Sequence, residues 1–144
     1  MISSSSTADK VAEIGDYVSR VCFKDSDQGG GSAAFAIKSL NAKKGAVLYD
    51  VANDYSKGLA ETFKAKFTEL GGDLVAYESY STGDSDFNGQ LTKIKATSPE
   101  VLLLPDYYNT VGLIAKQAKQ QGVDAVLLGS DGWDSPELFS IGGD

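Results

Sequence analysis

Acidic and aromatic residues lie together in three loops of the sequence, and their chemistry suits an ammonium ligand. The residues are Asp50, Asn53 and Tyr55 in the first loop, Tyr107 and Tyr108 in the second, and Asp131 and Trp133 in the third. A carboxylate pairs with an ammonium ion, and ring faces attract the cation, each by about 1 kcal/mol or more where water is excluded. A structural alternative stays open, in which the tyrosines pack over helix ends and Asp131 caps a turn.

Each of these loops follows an apolar run with the composition of a strand. Strands are predicted at residues 17–23, 45–49, 73–80, 101–104 and 125–128, with helical periodicity between them. This alternation predicts a three-layer α/β/α fold, Rossmann-like or flavodoxin-like, around an open parallel sheet of about five strands. Ligands of such sheets bind outside the carboxyl ends of the strands, so the three loops are expected to converge on one site.

The helices are predicted from apolar residues at helical spacing. Leu59, Phe63 and Phe67 define the most regular helix, and Gly122 closes the helix that follows the paired tyrosines. The glycine-rich stretch before the first helix, KDSDQGGGS, is predicted to be a loop that ends at Ser32 as a possible helix cap.

Composition limits the classes of function. The chain has 144 residues with 42% apolar content, a net charge of -7 and a pI near 4.5, which fits one folded domain and disfavours nucleic acid or an anionic membrane as partner. The single cysteine, Cys22, excludes an internal disulfide, and the absence of histidine disfavours a transition-metal site. No apolar run approaches the length of a membrane span.

No reactive constellation accompanies these loops, so we expect neither enzymatic activity nor a cofactor or metal. The sequence lacks a GxSxG elbow and a GxxxxGK[ST] phosphate loop, and GGGS at residues 29–32 lacks the spacing of a dinucleotide fingerprint. One alternative stays open, a small flavodoxin-like protein that binds phosphate or flavin, with STGDSD at residues 81–86 as its anion loop.

Four stretches of the chain resemble the type I extracytoplasmic solute-binding proteins of branched-chain amino acid ABC transporters. They are residues 2–23, 45–72, 78–118 and 127–138. The resemblance implies a non-enzymatic, two-lobed receptor that closes on an amino acid and is read by an ABC permease, with this chain as the second lobe. Residues 1–15 would be a flexible crossover arm from the first lobe, and residues 16–144 a single α/β lobe.

The resemblance also implies roles for individual residues. Asp131 would pair with the α-ammonium group of the ligand, Tyr55 and Tyr107 would close over it, and Ser5 and Thr7 would help to bind the α-carboxylate. Further contacts are predicted for Trp133, Tyr108, Asn53 and Asp50. The remaining carboxylate contacts would lie in the first lobe, so affinity for an amino acid is expected to be absent or at best millimolar.

Five polar residues depart from the pattern of the family, which has apolar residues, proline or glycine at these positions. They are Lys24, Ser26, Asp27, Asp106 and Ser130. We interpret them as substitutions that keep an excised, partly redesigned lobe soluble. The family is extracytoplasmic, whereas this chain shows no signal peptide and is expected in the cytoplasm. An engineered scaffold, monomeric or a homodimer through the former lobe interface, is the alternative.

Overall fold

The computed structural model describes residues 1–143 and contains a central sheet of four parallel strands. In chain order the strands are β3 (Lys44–Asp50), β4 (Asp73–Tyr80), β5 (Val101–Leu103) and β6 (Val126–Leu128). Their spatial order is β4-β3-β5-β6, with every pair parallel. The helices are α1 (Asp25–Lys38), α2 (Asp54–Glu69), α3 (Asn88–Thr97), α4 (Tyr108–Gln121) and α5 (Glu137–Gly142).

Helices cover both faces of the sheet because successive side chains of a strand point to opposite faces. Ala46 and Leu48 of β3 pack into one apolar cluster with α3 and α4, and Val47 packs into the other with α1 and α2. The residues of these clusters are almost completely buried. The three-layer α/β/α fold predicted from the sequence is therefore confirmed.

The first predicted strand does not join this sheet. Instead, β1 (Ile2–Ser3) and β2 (Ser19–Arg20) form a separate two-stranded parallel pair, so the prediction of a fifth strand at residues 17–23 in the central sheet is wrong. Its apolar side chains have no layer to pack against, as the 90% exposure of Tyr17 and 76% exposure of Val21 show. Apolar content alone did not place this run in the core.

The glycine-rich stretch is helical rather than a loop. Helix α1 begins at Asp25, and Ser32 lies inside it, so the predicted loop and cap are wrong. A Cβ atom on Gly29 would lie 2.9 Å from the Leu59 carbonyl oxygen and 3.0 Å from Thr62 Cβ. Close packing of α1 on α2 therefore needs glycine here, and it outweighs the low helix propensity of that residue.

The amino-terminal segment, residues 1–15, contains β1 and a short 3-10 helix at Asp9–Glu13. The Arg20 guanidinium holds this segment by donating hydrogen bonds to the carbonyl oxygens of Thr7 at 2.8 Å, Ala8 at 2.8 Å and Asp9 at 2.6 Å. The proposed boundary between this arm and the lobe stays a prediction.

Candidate functional site

Three predicted site residues meet at the carboxyl ends of the strands. Tyr55 lies in the first turn of α2, Tyr107 immediately precedes α4, and Asp131 begins a 3-10 helix at Asp131–Trp133 after β6. We refer to these three residues as the Tyr55 cluster. The parallel topology brings them together because all three elements follow a strand at the same edge of the sheet.

Asp131 is held at one oxygen only. Its Oδ1 accepts a hydrogen bond of 2.5 Å from the Tyr55 hydroxyl and one of 3.0 Å from the Gln28 side-chain amide. The Asp131 backbone N–H donates in return to Gln28 Oε1 at 3.1 Å. Asp131 is exposed, and its Oδ2 has no hydrogen-bond partner within residues 1–143, so it can accept from an incoming donor.

The two tyrosine rings of the cluster stack beside this carboxylate. The centroids of Tyr55 and Tyr107 are 5.1 Å apart, with 24° between the ring planes. The Gly132 N–H donates to the Tyr55 hydroxyl oxygen at 3.1 Å. A Cβ atom on Gly132 would lie 2.9 Å from the Asp106 carbonyl oxygen and 3.2 Å from Tyr107 Cδ1. A glycine at this position lets the 3-10 helix approach both rings.

Negative charge dominates the surroundings of these rings. Burial raises the pKa of Tyr55 well above its usual range, and the hydrogen bond to Asp131 raises it further. The pKa of Tyr107 is raised by burial and then by the carboxylates of Asp106, Asp131 and Asp25. A cation is the ligand that such a group of carboxylates and ring faces would stabilise.

Asp106 is a buried structural residue, so its interpretation as a solubilising surface substitution is wrong. It is 4% exposed, because it turns inward and accepts hydrogen bonds from the Tyr80 hydroxyl at 2.5 Å and from the Tyr107 backbone N–H at 2.8 Å. Burial raises its pKa. Ser130 is also engaged, since its hydroxyl lies 2.9 Å from the Tyr55 phenolic oxygen and donates to it, while the Tyr55 proton goes to Asp131.

Two of the predicted further contacts, Asn53 and Trp133, have local structural roles. Asn53 caps α2 by accepting from the Tyr55 backbone N–H at 3.0 Å. Trp133 packs against the core and donates its indole N–H to the Leu104 carbonyl oxygen at 3.0 Å. Tyr108 is half-buried at the start of α4. Their contact with a ligand stays a prediction.

The buried Asp50 stabilises the turn that follows β3. Its carboxylate accepts from the Ala52 backbone N–H at 2.8 Å and from the Thr82 hydroxyl. Asp84 lies in the loop that contains Thr82, where its Oδ2 accepts from the Ser81 backbone N–H at 2.9 Å. Carboxylates on both sides disfavour residues 81–86 as an anion site, because like charges repel.

The two hydroxyl residues predicted to bind a carboxylate lie outside the Tyr55 cluster. Ser5 is exposed in the amino-terminal segment. Thr7 is 6% exposed, and its hydroxyl lies close enough to Asp25 to favour the ionised form of that carboxyl. A hydroxyl that already faces a carboxylate is a poor donor for a second one, and the roles of both residues stay predictions.

Gln28 is the main site residue that the sequence analysis missed, because it fell within the supposed glycine-rich loop. Two acidic residues, Asp25 and Asp27, occupy the first turn of α1, which is the usual place for acids in a helix. They could have indicated a helix that begins before the glycines. Such a helix places Gln28 and Asp25 on one face, three residues apart.

The described part of the chain contains no group of three or more His, Cys, Asp or Glu side chains arranged to hold a metal ion. None of the helices within residues 1–143 combines the length and apolar character needed to cross a bilayer.

Comparison with known proteins identifies the family. A family model described as "Periplasmic binding protein" matches residues 1–144. The leucine-binding protein LivK of Thermotoga maritima has 42% sequence identity and a TM-score of 0.95, over 100% of this chain and 41% of that one. LivJ of Streptococcus pneumoniae, a branched-chain amino acid transporter substrate-binding protein solved with isoleucine, has 36% identity and a TM-score of 0.90, over 98% and 40%.

The sequence relatives agree with the structural ones. Leu/Ile/Val-binding protein homolog 3 of Brucella melitensis is 36% identical over 128 residues, which are 89% of this chain and 34% of the relative. This chain thus spans between 34% and 41% of the length of these relatives. The family consists of solute-binding proteins rather than enzymes. The chain belongs to the periplasmic binding protein family.

Proposed function

We propose that this chain supplies one side of an amino acid site in a branched-chain amino acid transport receptor, with Asp131 as the acceptor for the ligand's α-ammonium group. One observation carries the proposal: Asp131 is held through Oδ1 alone, beside the stacked rings of Tyr55 and Tyr107. Its free Oδ2 and the ring faces offer the two interactions that an ammonium group needs.

The same electrostatics explain why the chain would bind weakly by itself. Asp25, Asp106 and Asp131 all act on Tyr107, so an amino acid carboxylate placed here would meet like charge. The α-carboxylate must therefore be bound by groups on the opposite side of the ligand. With that side absent, we expect a Kd for the free amino acid of about a millimolar or weaker.

The names of the relatives support a branched aliphatic side chain for the ligand. Several are called Leu/Ile/Val-binding proteins, and the LivJ structure contains isoleucine. In a complete receptor the ligand would favour a closed state by contacting both sides at once. An ABC permease would then recognise this closed state, and the recognition would take place outside the cytoplasm.

Titration of the 15N-labelled chain with L-leucine tests this proposal. We expect backbone amide shifts centred on Tyr55, Asp131 and Gly132, and a midpoint in the millimolar range. The ligand control is 4-methyl-2-oxopentanoate, which has the same carbon skeleton and carboxylate but lacks the ammonium group, and it should cause no shifts there. An Asp131→Asn variant should lose the response to leucine.

Two results would contradict the proposal. Equal shifts from the amine and the oxo acid would show that the ammonium group is not what this edge recognises. Micromolar affinity for leucine would show that the chain contains a complete amino acid site, rather than the one side of a site that we propose.

A second candidate is a homodimeric scaffold, favoured by apolar side chains left exposed near the amino terminus. Ile2, Ile14 and Tyr17 are 75%, 73% and 90% exposed. Exposed apolar groups of this size favour association. Light scattering should give twice the 15.2 kDa chain mass if this surface pairs two copies, and a monomer mass at all concentrations would exclude the scaffold dimer.

A further inference from the structure

A pocket with a volume of about 310 Å³ lies between the amino-terminal segment and the first turns of α2. Its charged lining residues are Asp9, Asp25, Asp54, Glu61, Lys10 and Lys57. Four carboxylates thus face two ammonium groups, which leaves an excess of negative charge. The volume is at the lower end of the range for small-molecule sites and corresponds to about ten water molecules.

Asp25 forms the buried part of this lining. It is 2% exposed, and its Oδ1 is buried without any hydrogen-bond partner among the described residues. Gly58 lies opposite, where an added Cβ atom would be 4.0 Å from Asp25 Oδ2. An unpaired buried carboxylate oxygen is unfavourable, so this atom indicates a donor that the described residues do not supply.

No cation among the described residues forms an ion pair with Asp25, although the charge of Arg20 acts on it. The Arg20 guanidinium donates its hydrogen bonds to backbone carbonyl oxygens of the amino-terminal segment. Lys57 faces Glu61 at 3.9 Å, in an exposed pair. Asp9 is engaged differently, since its Oδ1 accepts from the Ser26 hydroxyl at 2.7 Å. The unpaired Oδ1 of Asp25 is therefore a buried acceptor beside this pocket that lacks a donor among the described residues.

We propose that this pocket binds an aliphatic diamine, with one ammonium group donating to the Asp25 carboxylate and the other facing the acidic rim formed by Asp54 and Glu61. Two positive charges match the excess of two carboxylates in the lining. The volume accommodates a short carbon chain. A metal ion fits less well, because no three ligating side chains converge within residues 1–143.

The experiment is a titration of the 15N-labelled chain with 1,4-diaminobutane at constant ionic strength and pH. The expected Kd is about a millimolar, with the largest amide shifts at Asp25 and Gly58. Loss of the buried charge in Asp25→Asn should weaken binding by about tenfold or more, because the ammonium group then donates to a neutral amide oxygen instead of a carboxylate. The monoamine 1-aminobutane should also bind about two- to fivefold more weakly than the diamine, because it lacks the ammonium group that faces the exposed rim.

Three variants distinguish binding in this pocket from nonspecific charge attraction and from binding at the Tyr55 cluster. Asp124→Asn removes one exposed carboxylate elsewhere on the chain and should leave binding unchanged. Asp131→Asn disables the proposed amino acid site and removes a charge that acts on Asp25, so it should weaken diamine binding less than Asp25→Asn does. Gly58→Leu fills the pocket while keeping Asp25, and it should abolish binding. Circular dichroism checks that each variant is folded.

Several outcomes would overturn the proposal. They are the absence of shifts at about ten times the expected Kd, shifts centred away from Asp25 and Gly58, and equal weakening by Asp25→Asn and Asp124→Asn. The last result would indicate nonspecific charge attraction. Loss of diamine binding in Asp131→Asn would place the diamine in the Tyr55 cluster instead, while leaving the amino acid proposal intact.

Discussion

The two edges of the central sheet use carboxylates in opposite ways. At the carboxyl edge, Asp106 is buried and Asp25 is buried with one oxygen unpaired, and the pKa of each is raised, in both cases mainly by burial. At the amino edge, Glu100 is exposed and accepts from the backbone N–H groups of Lys44 at 2.9 Å and Lys43 at 2.5 Å. These hydrogen bonds lower the pKa of Glu100.

This contrast indicates that the carboxylate of the amino edge stabilises the fold, whereas the carboxyl edge is available for binding. The Glu100 carboxylate stabilises the start of β3 in its ionised form because two backbone donors favour the charge. Ionisation of Asp106 and Asp25 at the opposite edge opposes folding, since burial disfavours the charge of these two carboxyls. Groups held in an unfavourable state are common where a ligand later compensates them, which fits the placement of both proposed sites at the carboxyl edge.

The largest effect is expected from Asp106→Ala. The substitution leaves the buried Tyr80 hydroxyl and the Tyr107 backbone N–H without their acceptor, and we expect the free energy of unfolding to fall by about 2–3 kcal/mol. Chemical denaturation at neutral pH measures it. Asp106→Asn keeps an acceptor of the same shape and removes the charge, so it should cost less than the alanine variant; equal losses would show that the charge itself is stabilising.

Asp25→Asn is expected to stabilise the chain by about 1–2 kcal/mol at pH 8, by removing a buried charge with an unpaired oxygen. Because the pKa of Asp25 is raised in the folded state, the wild type loses stability as pH rises through that folded pKa. The gain of the variant should therefore shrink as pH falls towards the ordinary aspartate value of about 3.9. Melting temperatures of both proteins across this pH range test it, and destabilisation at pH 8 would contradict the assignment of Asp25 as strained.

Glu100→Gln should have the smallest effect on stability of the three variants, and its sign should be opposite to that of Asp25→Asn. Because the pKa of Glu100 is lowered in the folded state, its stabilisation is present above the ordinary glutamate value of about 4.3 and is lost as pH falls through the folded pKa. The variant should melt slightly below the wild type at neutral pH, and the two should converge at low pH. A glutamine variant that melts higher at neutral pH would remove the contrast between the edges.

Most of the central fold and part of the Tyr55 cluster could be predicted from the sequence. The apolar runs of β3 and β5 and the spacing of Leu59, Phe63 and Phe67 are local patterns that report directly on burial. The run of β6 does not, since Val126 is 51% exposed. The position of Tyr55, Tyr107 and Asp131 after strands then follows from the parallel topology. Their agreement with the structure reflects local preference and tertiary fold acting in the same direction.

Other features could not be predicted because they depend on contacts between distant residues. Helix α1 forms through its glycines only because α2 lies against Gly29. The partnership of Gln28 with Asp131 joins residues that are 103 positions apart. The burial of Asp106 depends on the Tyr80 hydroxyl of β4, which donates a hydrogen bond to its carboxylate.

The sequence by itself determined the alternation of strands and helices and which residue types follow each strand, because hydrophobic periodicity is a property of neighbouring residues. Only the tertiary structure decided which carboxylates are exposed, which are satisfied and which are left unpaired. That outcome depends on the donors that other elements bring within hydrogen-bond distance. The chemical character of the carboxyl edge therefore comes from packing between helices and loops rather than from any one segment of the chain.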